Sequence, residues 1–317
     1  MKWWRLSSLM FIVSLTGCSV FNSTFFMPPK PPLTWFAPAR PQIVINTGGN
    51  DISLVESHAA LLPISATEPV SSMLKITHTA TELRFDIRQK DIFKAKNSLV
   101  IAIPANLQTL TIQGGGNVQT TTLPSSLQRL NLADSGTVLL QGESVGLQQL
   151  VLKNIKQARI AGLKSTDLLV SICDSGPVTL KGDVGIRELQ VSDSGRVAIT
   201  WVHSKELLVQ LTDTQQVFLA GVAGLLITTV NDQAQLNAKY LRANKAFVRT
   251  TQQGLAEVAV LDSLNAYASD QSNIYYYLQP RLLGRYYQDH GSILDRGEQL
   301  PPCLAPECAP MPSHLPG

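Results

Sequence analysis

Apolar and polar residues alternate through most of residues 42–278, and short polar turns interrupt the alternation at nearly constant intervals. Asp-Ser-Gly marks three of these turns: "LADSGTVLL" at 132–140, "ICDSGPVTL" at 172–180 and "VSDSGRVAI" at 191–199. With the Asp as anchor, equivalent positions fall at Gly114, Asp134, Asn154, Asp174, Asp193, Asp213, Asp232, Gln252 and Asp270, at intervals of 18 to 20 residues. Four residues after each anchor stand Val118, Val138, Ala158, Val178, Val197, Val217, Leu236, Ala256 and Ile274, all apolar. Two residues before it stand Ile112, Leu132, Leu152, Ile172, Val191, Leu211, Val230, Thr250 and Ala268, all apolar but Thr250. Alternation within each unit is the period of a strand with one buried face.

A unit of this length is too short for a helical solenoid, which also needs a 3.6-residue period. "LQRLNLADSG" suggests a leucine-rich repeat, but the second half of each unit alternates as well, as in Thr137-Val138-Leu139-Leu140. The pattern predicts an all-β fold, a parallel β-helix of about nine or more coils capped at both ends. Each coil completes its core only against its neighbours. At ~4.8 Å per coil, nine coils give a rod about 40 Å long. At the corners, Asp is expected to close an Asx-turn onto its own backbone and Gly to take a positive φ. Upstream, "QIVINTGGNDISL", "MLKITHT", "ELRFDIRQ" and "SLVIAIP" read as strands, and "NTGGNDISL" echoes "IQGGGNVQT" at 112–120. This region is expected to form a first coil or a cap. Residues 279–317 read as a non-repeating tail.

The N-terminus changes the picture of where the chain works. Residues 1–17 carry Lys2 and Arg5, then an uncharged, largely apolar stretch from Leu6 to Thr16, too short to span a bilayer comfortably. Leu15-Thr16-Gly17-Cys18 resembles the lipobox of bacterial lipoproteins. That resemblance implies a cleaved signal peptide and a diacylglycerol on the Cys18 sulfur, with more than one acyl chain giving a stable membrane anchor. By the same resemblance, Ser19 after the Cys implies sorting to the outer membrane of a Gram-negative bacterium, with the domain periplasmic or surface-exposed. Residues 18–41 contain "PPKPPLTWFAPARP" and read as an extended Pro-rich linker.

Residues 83–118, "LRFDIRQKDIFKAKNSLVIAIPANLQTLTIQGGGNV", combine a strand pair, an Ile-x-x-Pro-x-Leu-x-x-Leu step and a Gly-rich turn that opens the repeats. With the Asp/Gly-Ser-Gly corners, this resembles the head GIN domain family of auto-transporter adhesins, over roughly residues 42–278. The resemblance implies a right-handed, single-stranded β-helix on a bacterial envelope protein, and it brings no catalytic residues with it. Asp-Thr-Gln at 213–215 and Asp-Gln-Ala at 232–234 depart from the family's corner.

Candidate chemistry is sparse. Charged residues are only 15% of the 317, and the net charge of +3 does not suggest nucleic acid. His58, His78, His203, His290 and His314 lack metal-ligand spacing. Asp174, Asp193, Asp213 and Asp232 share one corner of successive coils, where an Asx-turn column is expected and a hard cation is the alternative. The 20-residue period excludes the Ca²⁺-binding nonapeptide roll. Asp193 and Arg196, with Lys181 and Lys205 in neighbouring loops, are the nearest approach to a polysaccharide-cleaving set, but they form no recognisable acid/base pair. Ser135, Ser175 and Ser194 have no His at matching positions. Tyr275-Tyr276-Tyr277 and Tyr286-Tyr287 read as an end cap or a stacking platform. Cys303 and Cys308 are spaced to pair in an oxidising envelope, and Cys173 should point outward as a free thiol or a partner of one tail Cys. No cofactor is expected. The sequence therefore predicts a lipid-anchored envelope protein with a non-catalytic β-helical binding, adhesin-like or scaffold domain. Its partners would be the membrane and a carbohydrate or envelope protein. A polysaccharide lyase or hydrolase on the same scaffold is the alternative.

Overall fold

In a computed structural model of the chain, residues 33–36, 42–58, 61–65, 74–79, 82–88, 99–193 and 195–297 are described. The chain divides into Met1–Pro31, wholly outside these residues, and Pro32–Gly317. Cys18, Cys303, Cys308 and Ser194 fall outside the described set, as do the signal peptide and most of the linker.

Strands wind into a solenoid of about nine turns with a period near 20 residues, and the described residues contain no helix. The coils stack through two columns of parallel pairs. One column precedes the anchors: Leu110, Leu130, Leu150, Val170, Leu189 and Val209 sit in register, each one coil from the next. The other follows them: Val118, Val138, Ala158, Val178, Val197, Val217, Leu236, Ala256 and Ile274 form one continuous line. Every member of that line is at most 1% exposed, so the alternation in the sequence does mark the core. Thr250, the polar exception two before its anchor, is also buried. Its hydroxyl donates to Ser272 Oγ at 2.8 Å, which satisfies the group it carries inward.

Each long strand bends once more between the columns. The bend falls at Gly182 (φ +152°) and Gly221 (φ +141°) in two of the coils. A Cβ there would stand 2.0 Å from Leu163 O and 2.1 Å from Val202 O. In the coil between them the bend carries Trp201 at φ +64°, and the pairing slips between Thr200 and Val202 to admit it. At these bends the pairing between neighbouring coils shifts register.

The N-terminal strands build two further rungs, in an order that differs from the chain. Gln42–Asn46 and Ile52–Ser57 stack directly on the coil of Gly114, with Ile45 beside Ile112 and Ile52 beside Val118. The echo of "NTGGN" in "QGGGN" is thus a true coil. Glu82–Ile87 and Leu99–Pro104 then lie on the outer side of that coil, pairing Ile45 with Phe85 and Leu54 with Ile101. The chain crosses back over its own first coil to reach Thr109. Antiparallel strands cover this end: Leu74–His78 pairs with Glu82–Ile87, and Leu61–Ser65 with Leu99–Pro104. Leu33–Phe36, which the sequence placed in the linker, pairs antiparallel with Leu61–Ser65.

At the other end the repeat outruns its expected limit. Leu282–Tyr287 and Ser292–Asp295 pair parallel with the preceding coil, and Asp289 (φ +58°) makes their corner. Residues 282–295 are one more rung rather than part of a non-repeating tail. The aromatic residues divide between columns. Tyr276 and Tyr277 are buried under this rung, whereas Tyr286 and Tyr287 are exposed on it.

Candidate functional surfaces

The corner turns differ from expectation in an instructive way. All nine anchors have positive φ, from +46° at Asp193 to +109° at Gly114. The glycines of Asp-Ser-Gly do not. Asp and Asn tolerate this left-handed region better than most residues, so the sequence spends them there. The glycines instead allow close approach: a Cβ on Gly176 would lie 2.1 Å from Lys156 O. Their amides donate to the previous coil, Gly176 N to Ile155 O and Gly195 N to Ser175 O, so the expected Asx-turn is not formed. The anchor side chains reach across coils. Asp213 Oδ2 accepts from Asp193 N (3.3 Å), Asp232 Oδ2 from Asp213 N (3.2 Å) and Asp270 Oδ2 from Gln252 N (2.9 Å). Backbone N–H donors thus stabilise this column of carboxylates. Among the described residues no three His, Cys, Asp or Glu side chains come together as a metal site. Ser135 and Ser175 are buried, and their hydroxyls donate to Ala133 O and Cys173 O. They hold turns. Cys173 is a half-buried free thiol whose Sγ lies 3.2 Å from Asp174 Oδ2.

Two open depressions of about 620 and 590 Å³ meet along the edge opposite the corners, sharing Lys164, Ser165 and Thr166. Glycines notch this edge. Gly146, Gly185 and Gly224 alternate there with the side chains of Thr166 and Lys205. Arg129, Lys164, Arg187 and Lys205 supply positive charge. Asp167 is 3.2 Å from Arg187, and Asp183 is 4.0 Å from His203. Asp167 is therefore held in an ion pair with Arg187, and Asp183 lies near the His203 imidazole. Lys205 lies in this groove, on a different face from the corner that holds Asp193, so the structure does not assemble Asp193, Arg196, Lys181 and Lys205.

Near the last rungs, outward side chains form two other arrangements. On the column after the anchors, Glu257 accepts from Lys239 Nζ (3.2 Å) and from the Tyr277 hydroxyl (3.0 Å). Burial, and then the hydrogen bond to Glu257, push the Tyr277 hydroxyl up to about 12. Arg296 caps the Tyr275 ring at 4.0 Å. On the column before the anchors, Ile227, Thr229, Phe247, Arg249, Asn265, Tyr267 and Tyr286 surround a shallow depression of about 230 Å³. The Arg249 guanidinium lies 5.4 Å from the Tyr267 ring centre, and the Tyr267 hydroxyl lies 3.1 Å from Gln288 Oε1.

The sequence reading missed both the groove and this depression. A signal for the second was present. Arg249, Tyr267 and Tyr286 each stand three residues before a corner residue, and Phe247 and Asn265 five before. Only a repeat extended to Asp289 aligns them all.

Among solved structures the chain is similar to a "putative lipid binding protein" from Parabacteroides distasonis, at 14% identity and TM-score 0.45, over 84% of this chain and 97% of that one. It is also similar to a "putative adhesin" from Bacteroides fragilis, at 14% identity and TM-score 0.27, over 84% and 98%. A third, a "putative adhesin" from Parabacteroides merdae, has 12% identity and TM-score 0.39, over 84% and 94%. No curated protein matches the chain. Residues 168–280 are matched by the family model described as "putative auto-transporter adhesin, head GIN domain", which bears out, over that stretch, the family resemblance read from the repeats.

Proposed function

We propose that this chain is a bacterial envelope lipoprotein, anchored in the outer membrane through Cys18, whose solenoid is a non-catalytic, adhesin-like binding domain. The observation that carries the reading is the open groove along coils 146–149, 164–167, 183–187 and 203–205. It offers the Thr166 hydroxyl and unlike charges over several rungs, and one of its two carboxylates, Asp167, is already paired with Arg187. A surface of this kind holds an extended polymer through many modest polar contacts. A glycosidase needs two carboxylates facing one bond across an open gap, and in the groove Asp167 is held by Arg187. The head GIN match supports an adhesin-like role.

The test uses the full-length protein recovered from membranes. It is passed over immobilised envelope and host-type polysaccharides, and both retention and soluble product are measured. Retention without new reducing ends or unsaturated sugars is expected. Product formation abolished by Asp167→Asn or Asp183→Asn would replace this reading with an enzyme. In the same preparation, Cys18→Ala should move the protein to the soluble fraction; unchanged membrane partition would remove the anchor.

A further inference from the structure

The depression beside Tyr267 has a chemistry unlike the groove. Its floor is the flat outward side of the column before the anchors, where Ile227 stands beside Phe247, Phe247 beside Asn265, and Asn265 beside Gly284. In the adjacent line Thr229, Arg249, Tyr267 and Tyr286 follow one another in register. Phe247 is 49% exposed and Tyr286 63%, and with Tyr267 they set three aromatic rings around one depression. Gly284 leaves the space that Asn265 uses, since a Cβ there would stand 2.6 Å from Asn265 Oδ1. Asn265 is half-buried and lines the depression together with the three rings.

Polar capacity at this spot is narrow and of one sign. Arg249 is the single charged residue around the depression, and its position over Tyr267 restrains the guanidinium while leaving donors free. Along the Phe247 line the neighbouring coils carry Ile227, Leu208 and then Glu188, whose carboxylate is occupied by Gln190. A ligand that fits must present an apolar face to the rings, hydroxyls to Asn265 and Thr229, and an anion to Arg249. A pyranose meets the first two demands, because its axial C–H groups form apolar faces and its rim carries hydroxyls. A carboxylate on the sugar meets the third, since guanidinium and carboxylate pair through two parallel hydrogen bonds. Few convergent polar groups in an aromatic frame are the usual make-up of a small-ligand site.

We infer that Phe247, Arg249, Asn265, Tyr267 and Tyr286 form a binding site for a carboxylated sugar of a glycan chain. This rests on the reading of the domain as a binding module and assigns it one ligand class at a second surface, apart from the groove. The test compares tetragalacturonate with its neutral counterpart galactotetraose, and sialyllactose with lactose, by titration against the full-length protein. Phe247→Thr and Arg249→Gln serve as variants; both side chains are exposed, so melting temperatures should match the wild type. At least one carboxylated probe should bind at least tenfold more tightly than its neutral partner. Arg249→Gln should abolish that preference, and Phe247→Thr should weaken both probes about tenfold. Equal binding of acidic and neutral probes, or wild-type binding by both folded variants, overturns the site. If the variants still match the wild type in polysaccharide retention, the binding-module reading stands and this site alone fails. If the wild type retains no saccharide of any kind, both fail.

Discussion

Gly176 and Gly195 close the same Asp-Ser-Gly turn in consecutive coils, yet they face different neighbours. A Cβ on Gly176 would meet Lys156 O at 2.1 Å, a backbone atom that cannot swing aside. A Cβ on Gly195 would meet nothing nearer than 3.5 Å. Neither has a positive φ, so the difference is one of space alone. Gly176→Ala should therefore lower stability by about 1–3 kcal/mol, as overpacking does. Gly195→Ala should be neutral or stabilise by up to about 1 kcal/mol, because alanine restricts the unfolded chain. Denaturant melts of the two variants check this, and equal losses would mean that both glycines serve conformation. The sequence placed these turns correctly and assigned their parts wrongly. Asp takes the left-handed position and glycine the crowded one. Local residue preferences allow either assignment, and only the distance to the coil below decides.

Strands are the scale at which the sequence was most legible. Inward positions are a property of period and register, and a period of two repeated nine times over-determines both. What it concealed were exceptions made by contacts between distant segments. The outer rung of Glu82–Ile87 and Leu99–Pro104 stacks on a coil that precedes it in the chain, which no local pattern encodes. The rung at 282–295 was hidden because its inward positions include Arg285 and Tyr287, which the end of a stack tolerates and its middle does not. The outward surfaces were legible only in part, since polar residues there obey no period. Among them, the Lys239–Glu257–Tyr277 contact links three adjacent strands and sets a pH limit. The Tyr277 hydroxyl ionises at about 12 when folded and near 10 when unfolded. Its contribution is fully present below pH 10, where both states keep the proton. It is lost as pH rises from 10 towards 12, because the unfolded chain gives up its proton first. Melting temperature should fall across that window, and Tyr277→Phe should flatten the fall. An equally steep fall in Tyr277→Phe would place the sensitivity elsewhere.

For the solenoid as a whole, stability is a sum along one dimension: each coil touches only the coils above and below it. The N-terminal block is the exception, because the chain passes over its own first coil before the regular winding begins. Gln42–Asn46, Ile52–Ser57, Glu82–Ile87, Leu99–Pro104 and Thr109–Gln113 are thereby interleaved and should open together, whereas the coils from 129 onward can open in smaller groups. Val197 separates these cases. It is fully buried between Val178 and Val217, far from either end. Val197→Asp inserts a charge with no partner between apolar layers, at a cost of several kcal/mol. In a globular core that cost would fall on the whole domain. Here it should fall on the coils around it. Hydrogen exchange of Val197→Asp should show protection lost first across 178–217 and falling off coil by coil. Residues 42–120 should keep wild-type protection, held by their interleaved strands and the antiparallel cover. A uniform loss from 42 to 295 would mean that the solenoid unfolds as one cooperative unit, and that the crossed N-terminal rungs add no independent stability. Graded loss would instead identify those rungs as the stable base of the solenoid.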